Sequence, residues 1–455
     1  MSTDPNSSSS NPSPSSSPDR GLSSSVGKVE RVDVHSADAN PADTNSADPK
    51  STDTHSPKVP KKNQLTAAVL TSLALLSAAG PLGTDMYLPT FIDIAKDLST
   101  TASSVQLTLS AFMIGLAVGQ LFAGPISDGV GRRRPLVIGS LLFFLFSAGC
   151  ALTPSIGLLI AFRLLQGIAG GTTVVVARSV IPDVAHGRAA ASAFSALMAI
   201  QGLAPAIAPL LGGFLSPIIG WRGIFWVIAV FNVIMVVVSR FIVPESLPAD
   251  RRTPGAIGNL LPTIFRCFGR PAFIGYCFAF AVGFGTFFSY ISASPFVLQD
   301  QLGLPTHVYS ITFAINSLAI AGMSALNGKL VNRFEVRSVL VFGLILYVAT
   351  SAILLIDALL GPWLWPTLIC LFVMTSATGL LLGNATALGV EAVRDIGAGA
   401  GSGAMGALQF LAAGIVSPLV GIGSDPSLSM ALCMLVCSII AITGCVTLTS
   451  SSDRA

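Results

Sequence analysis

The stretch VQLTLSAFMIGLAVGQLFAGPISDGVGRRR, residues 105–134, runs through a long apolar segment and stops in glycines followed by three arginines. Lipid cannot satisfy backbone hydrogen bonds, so a segment that crosses it must be helical and needs about 20 predominantly apolar residues. The arginines mark where the chain leaves hydrocarbon. The same unit recurs along the chain, with spans expected to start near Leu65, Val105, Leu136, Ile156, Ala191 and Ile224. Six more start near Ala272, Val308, Val339, Trp363, Ala404 and Met430. A hydrophilic interval from about Glu245 to Arg270, rich in Arg, Gly and Pro, separates the two sets.

Composition agrees. Of the 455 residues, 52% are hydrophobic and only 10% charged, where water-soluble domains carry about 25% charged residues. A chain of this kind cannot bury its apolar surface in water, and the fold class expected is an all-α integral membrane protein of twelve transmembrane helices in two pseudo-symmetric six-helix bundles. The net charge of +3 is small and its basic residues fall in short clusters between spans, which excludes nucleic acid as a partner. Those clusters report topology instead, because basic loops are retained in the cytoplasm. Lys58, Lys61 and Lys62, then Arg132, Arg133 and Arg134, Arg178 and Arg188, the interval, Lys329, Arg333 and Arg337, and Arg394 are assigned to one side; the other holds Lys96 and Arg222. Both termini are therefore expected in the cytoplasm of a cell whose inner or plasma membrane the chain spans.

The expected organisation is a disordered cytoplasmic tail (1–63), a six-helix bundle (64–244), a cytoplasmic linker (245–271), a second six-helix bundle (272–450) and a short tail (451–455). The first tail is dominated by Ser, Pro, Asp, Asn and Thr and lacks the apolar core of a signal peptide, so the first span serves as an uncleaved insertion signal. The halves echo each other. GPISDGVGRRR from Gly124 is matched by GKLVNRFEVR from Gly328, and PLLGG from Pro209 by PLVGI from Pro418. Two related bundles with a site between them suit a rocking transporter.

Four motifs carry chemistry. In GPISDGVGRRR, Gly124, Gly129 and Gly131 permit a tight turn, and Asp128 faces the arginines. An acid at one helix end opposite a base at the next makes a latch on one conformation; the competing reading is that the arginines only set topology. In RLLQGIAGG, Arg163 lies inside the fourth span, where a guanidinium needs a partner or a wet cavity. About 10 Å of apolar helix precedes it, which argues against simple snorkelling to the interface. Asp85, in GTDMYLP, is either a carboxylate that binds and releases a proton in a cavity or a solvated helix end before Pro89. In APAIAPLLGG, Pro205, Pro209, Gly212 and Gly213 suit a bending or close-packing helix, or reflect the ordinary tolerance of membrane helices for both residues. GLAVG from Gly115 is a packing face.

The seventh span, FGTFFSYISASPFVLQ from Phe284, sets aromatic rings beside serines, which suits an amphipathic ligand or a lipid interface equally. Tyr87, Gln166, Phe288 and Tyr290 are the expected pocket side chains. GSGAMG from Gly401 matches a dinucleotide fingerprint but leads into a membrane span, and no GxxxxGK phosphate loop occurs, so neither a nucleotide cofactor nor ATP hydrolysis is expected. The seven cysteines lack metal spacing and are expected to be packing residues, and no histidine lies within a span, so no metal is expected.

Together these residues resemble the major facilitator superfamily and, within it, the drug:proton antiporters of the bicyclomycin and chloramphenicol resistance (Bcr/CflA) type. The resemblance covers everything from Leu65 on: the loop motif, RLLQG, the antiporter motif of the fifth helix, and the DMYLP and YISASPFV signatures. It departs from the usual Gly-Pro pairs, with Ala204 before Pro205 and Ala208 before Pro209. The resemblance implies that Asp128 with Arg132 and Arg133 governs switching, that Asp85 and Arg163 handle the proton, and that a monomer exports small amphipathic compounds or antibiotics against protons. Export or exchange of a physiological metabolite is the alternative. An enzyme or sensor finds no clustered acids or nucleophiles and no soluble output domain, so no enzymatic activity is expected.

Overall fold

Apolar runs without internal charge form helices wherever a polar residue caps their start. Thr66 Oγ1 accepts Val69 N–H at 3.3 Å and Thr101 Oγ1 accepts Ser104 N–H at 3.2 Å. These caps set the first residues of α1 (Ala67–Asp85) and α3 (Ala102–Val130). The computed structural model describes residues 66–185, 187–253 and 256–450. The expected tails, 1–63 and 451–455, and Lys58, Lys61 and Lys62 lie outside the described residues.

After α1 come a 3-10 turn (Leu88–Thr90), α2 (Phe91–Asp97), α3, α4 (Arg133–Leu152), α5 (Ile156–Val184) and α6 (Gly187–Phe241). The interval holds α7 (Ala256–Cys267). The seventh span is composite: α8 (Pro271–Cys277), a π-helical turn (Phe278–Val282), α9 (Gly283–Ser294) and a second π-helical turn (Pro295–Gln301). The remainder is α10 (Thr306–Leu330), α11 (Val336–Leu360), α12 (Leu364–Glu391), α13 (Arg394–Val420) and α14 (Pro426–Ser450).

Among the described residues, eleven helical stretches are long and apolar enough to cross a membrane. One of them, in α6, is too long for a single crossing: its 55 residues would reach about 80 Å, against about 30 Å of hydrocarbon. Gly220, at φ 66° and ψ 176°, breaks it into arms 187–219 and 221–241, making twelve crossings. Asp97 pins the break, accepting Trp221 Nε1–H at 3.1 Å and pairing with Arg222. Large apolar side chains such as Phe241 and Leu360 stand exposed around the helices, as lipid contact requires.

Glycines bring α3 and α5 into backbone contact. A Cβ at Gly115 would lie 2.3 Å from the Leu164 carbonyl oxygen, and one at Gly167 would lie 2.2 Å from that of Phe112. This approach carries Arg163 over the Phe112 ring.

Two expectations change. The interval is not featureless, because α7 buries Ile264 and Cys267 while Leu261 and Phe265 stay exposed. Arg178 does not lie in a loop: it sits on α5, donating from Nη2 to Gln201 Oε1 at 2.7 Å. Periodicity counted it with the loop arginines because α5 outruns the hydrocarbon by several residues.

The first six and last six crossings meet at the end of the molecule far from the linker. Gln106 Nε2–H donates to the Ser292 carbonyl at 3.1 Å, Ser417 Oγ–H donates to the Gln106 carbonyl at 3.1 Å, and the Phe91 and Phe296 rings lie 6.0 Å apart. Ser317 Oγ–H reaches the Pro205 carbonyl at 3.3 Å, near mid-depth.

Candidate functional site

Arg163 is fully buried and stands at the centre of the first six crossings. Its Nη1 donates to the Gly83 carbonyl at 2.8 Å and to Gln166 Oε1 at 2.6 Å. Gln166 Nε2–H passes on to Ser147 Oγ at 2.6 Å. The guanidinium plane is flanked by the rings of Tyr87 (4.3 Å) and Phe112 (4.0 Å), with Phe225 at 5.8 Å. Aromatic faces stabilise a cation that has lost its water, by about 2 kcal/mol for a desolvated contact. Nε and Nη2 have no hydrogen-bond partner among the described residues, so two donors are left for another group.

Asp85 closes α1 and is 5% exposed. The crossing does not end there, since the Leu88–Thr90 turn and α2 carry it on to Asp97. The solvated-end alternative therefore fails: Asp85 is a buried carboxylate with no hydrogen bond or salt bridge among the described residues. It lies within electrostatic reach of Arg163. Tyr87, next but one in sequence, bonds its hydroxyl to Thr108 Oγ1 at 3.0 Å. The structure thus gathers Asp85, Tyr87, Arg163 and Gln166 into one polar nest.

Phe288 and Tyr290, on α9, belong to the opposite six crossings. Both are buried, not lipid-facing. Tyr290 stacks on Phe313 at 5.5 Å, whereas Phe288 joins a ring cluster with Phe284 at 5.8 Å and is not drawn to the nest.

A family model described as Major Facilitator Superfamily matches residues 73–418. The chain belongs to the Major Facilitator Superfamily. It is 39% identical to an uncharacterized MFS-type transporter, YdgK, of Bacillus subtilis, over 83% of this chain and 94% of that one. It is 28% identical to a bicyclomycin resistance protein homolog of Haemophilus influenzae, over 85% and 97%. A chloramphenicol resistance protein of Pseudomonas aeruginosa is 29% identical over 64% of this chain and 68% of its own. Among solved structures, an inward-facing, unoccupied bacterial homolog of the human lysosomal transporter Spinster shares the fold at TM-score 0.66 and 17% identity, over 85% of this chain and 96% of that one. The chain is thus a multi-pass membrane transporter and not an enzyme.

The superfamily loop at the linker end is built around Arg132. Its guanidinium pairs with Asp128 at 2.6 Å and Asp183 at 3.0 Å and donates to Ser127 Oγ at 2.6 Å. Glu245 accepts the backbone N–H groups of Arg132 (2.8 Å) and Arg133 (3.3 Å), an acid placed on the positive end of α4. Ser246 Oγ–H donates to Asp183 at 2.8 Å, so the chain leaving α6 is tied into the same cluster.

Three details differ from the sequence reading. Gly124 and Gly129 lie inside α3, and of the three glycines expected to shape the turn, Gly131, at φ 96°, has the left-handed backbone; a Cβ there would strike Glu245 Oε2 at 2.6 Å. Arg133 enters through its backbone, and its Nε has no hydrogen-bond partner among the described residues. Asp183 and Glu245 were missed. Their signal was available, because Asp183 lies in the last turn of a span and Glu245 just after one, both on the side assigned to Arg132, where acids invite bases. In the echo, Asn332 donates to the Gly328 carbonyl at 3.0 Å, so no carboxylate stands at the position matching Asp128.

The seven cysteines are free thiols, six of them buried and Cys433 partly so. Among the described residues no group of His, Cys, Asp and Glu could hold a metal ion.

Proposed function

We propose that the chain is a proton-driven exporter of small amphipathic organic compounds, of the kind met in antibiotic and multidrug resistance, working by alternating access. Asp85 carries this reading. It is a buried carboxylate with no hydrogen bond among the described residues, within electrostatic reach of a guanidinium whose Nε and Nη2 have no hydrogen-bond partner there. A proton on Asp85 changes the charge of the nest by one unit, and so changes what the nest attracts and how the two sets of crossings are held together. The names of the resistance proteins of Haemophilus influenzae and Pseudomonas aeruginosa support a drug-like cargo.

In this reading residues 64–244 and 272–450 move as two bodies. The far-end seal opens as the linker end closes, and the Asp128, Arg132 and Asp183 cluster holds one of the two arrangements. The arginines gathered at the linker end put that end and both termini in the cytoplasm. Pro205 and Pro209 loosen the first arm of α6, and Gly212 and Gly213 let it approach its neighbours. Tyr87 and Gln166 from one side and Phe288 and Tyr290 from the other line the path of a substrate, which a monomer suffices to form.

The test is transport of chloramphenicol by the purified chain in proteoliposomes under an imposed pH gradient. Asp85→Asn is expected to abolish the gradient-driven component and leave gradient-independent exchange. Gradient-driven transport by Asp85→Asn at the rate of the unaltered protein would show that Asp85 is not the proton site.

A further inference from the structure

Beyond Arg134, α4 carries no charged residue and none of the sequence motifs. It nevertheless supports Arg163 by two routes. Ser147 Oγ–H donates to the Phe143 carbonyl at 2.7 Å, one turn back on α4, and the same oxygen accepts Gln166 Nε2–H at 2.6 Å. Gln166 Oε1 in turn accepts Arg163 Nη1–H at 2.6 Å. The Phe143 ring meets the Phe112 ring edge-on at 6.3 Å, and Phe112 lies 4.0 Å from the guanidinium. Ser147, Gln166 and Arg163 are all fully buried, so bulk water does not replace a lost partner.

The direction of these bonds matters. A serine hydroxyl has a single hydrogen, and here it goes to a backbone carbonyl. Ser147 therefore meets Gln166 only as an acceptor, which sets the amide with its NH2 toward α4 and its oxygen toward Arg163. With the amide reversed, an N–H would face a guanidinium N–H, and a carbonyl oxygen would face a hydroxyl whose hydrogen is already committed. Gly83 and Gln166 together take both hydrogens of Nη1. The guanidinium is thereby fixed with Nε and Nη2, which have no hydrogen-bond partner among the described residues, as the edge left for another group. Two parallel N–H groups on one edge match the two oxygens of an anion.

We propose that Ser147 is a positioning residue of the transport site: acting through the Gln166 amide, its hydroxyl aims the Arg163 guanidinium. This rests on Arg163 serving transport. Without the hydroxyl the amide is free to turn over, and Nη1 loses one of its two acceptors in a site closed to bulk water. The guanidinium then swings to regain it, and its Nε and Nη2 edge no longer points where proton or cargo is handled. A helix outside the sequence motifs thus orients the charge at the centre of the first six crossings.

The experiment follows the full-length protein in two ways, by gradient-driven chloramphenicol transport in proteoliposomes and by thermal unfolding of the purified chain. Ser147→Ala should lower transport about tenfold, the order expected when a hydrogen bond to a charged group is lost. Ser147→Thr keeps a hydroxyl able to bond the carbonyl one turn back and should restore most of it. Ser147→Ala should also lower the unfolding midpoint, and this fall should largely vanish once Gln166→Leu is present, because the hydroxyl then has no amide to orient. Monodisperse elution establishes that each variant is folded; where Ser147→Thr is not, the alanine variant and the unfolding cycle decide. Transport by Ser147→Ala at the rate of the unaltered protein overturns the proposal, as does a folded Ser147→Thr no better than Ser147→Ala. Equal falls in unfolding midpoint with and without Gln166→Leu overturn it too, since a serine that only packs α4 weakens the fold alike in both backgrounds. An unaltered protein that carries no chloramphenicol is a failure of the exporter reading instead, and the unfolding cycle still judges the link from Ser147 to Gln166.

Discussion

Gly212 and Gly213 stand side by side on α6, yet the same alanine substitution should act at two different levels. At Gly212 the new Cβ would meet the Met86 carbonyl oxygen at 1.9 Å and the Met86 carbonyl carbon at 2.9 Å. Ordinary contact begins near 3.5 Å, so the overlap is about 1.5 Å. The obstacle is backbone and cannot rotate away. Both partners belong to the first six crossings, so the strain falls on their packing. Overpacking of this kind costs about 1–3 kcal/mol, of which the better helix propensity of alanine returns about 1 kcal/mol. At Gly213 the obstacles are Ser310 Oγ at 2.0 Å and Cβ at 2.7 Å. The hydroxyl can turn away at the loss of its 2.9 Å bond to the Thr306 carbonyl, but the Cβ can yield only if α10 withdraws by about 0.7 Å. Because α10 belongs to the other six crossings, that withdrawal opens the far end. Thermal unfolding of the purified protein should therefore fall measurably for Gly212→Ala and little for Gly213→Ala. Maleimide labelling of a cysteine placed at Ser103, beside the seal, should instead speed up for Gly213→Ala. A Gly212→Ala protein as stable as the unaltered one, or seal labelling unmoved by Gly213→Ala, would refute the reasoning.

Three further outcomes follow from other sites. Arg132→Ala and Asp183→Asn should be coupled by about 1–3 kcal/mol in a double-mutant cycle on unfolding, because their ion pair at 3.0 Å is largely shielded from water; additive effects would contradict the cluster. Arg163→Lys keeps the charge but cannot lie flat between Tyr87 and Phe112 at 4.3 and 4.0 Å while holding Gly83 and Gln166. Transport should fall at least about tenfold, the loss of one such contact, and rescue by lysine would show that charge alone matters. At the far-end turn, partial burial pushes the Asp425 carboxyl up, but donors from Ser427, Leu428 and Gln301 outweigh it and hold the group below its ordinary value. Its contribution to stability is then present above about pH 4 and lost as pH falls through the depressed value. Asp425→Asn should remove that acid-sensitive part of the melting curve, and an unchanged dependence below pH 4 would count against the cap.

The span starts expected at Val105, Ile156, Ala272 and Trp363 lie within three residues of the observed helices, because hydrocarbon imposes length and polarity on every crossing alike. The α6 break was legible too, since no single crossing accommodates its length. Helix α7 was not, as the interval's Gly and Pro residues mask its short apolar face. In the same way RLLQG singled out Arg163 as a charge in need of a partner, but not the partner itself. Gly83 offers a backbone carbonyl, which no side-chain motif announces, and Phe225 lies more than sixty positions away.

The sequence by itself determined that this chain crosses a membrane many times, where the crossings begin, and that Asp85 and Arg163 are charges in apolar helices, because each follows from composition over a short window. Tertiary structure decided that Asp85 is buried and not a wet helix end, that Asp183 and Glu245 complete the arginine cluster, and that Gly212 and Gly213 let α6 pack directly on the Met86 carbonyl and on Ser310. Those relations join residues far apart in the chain, and only close backbone packing, which glycine permits without announcing its partner, brings them together.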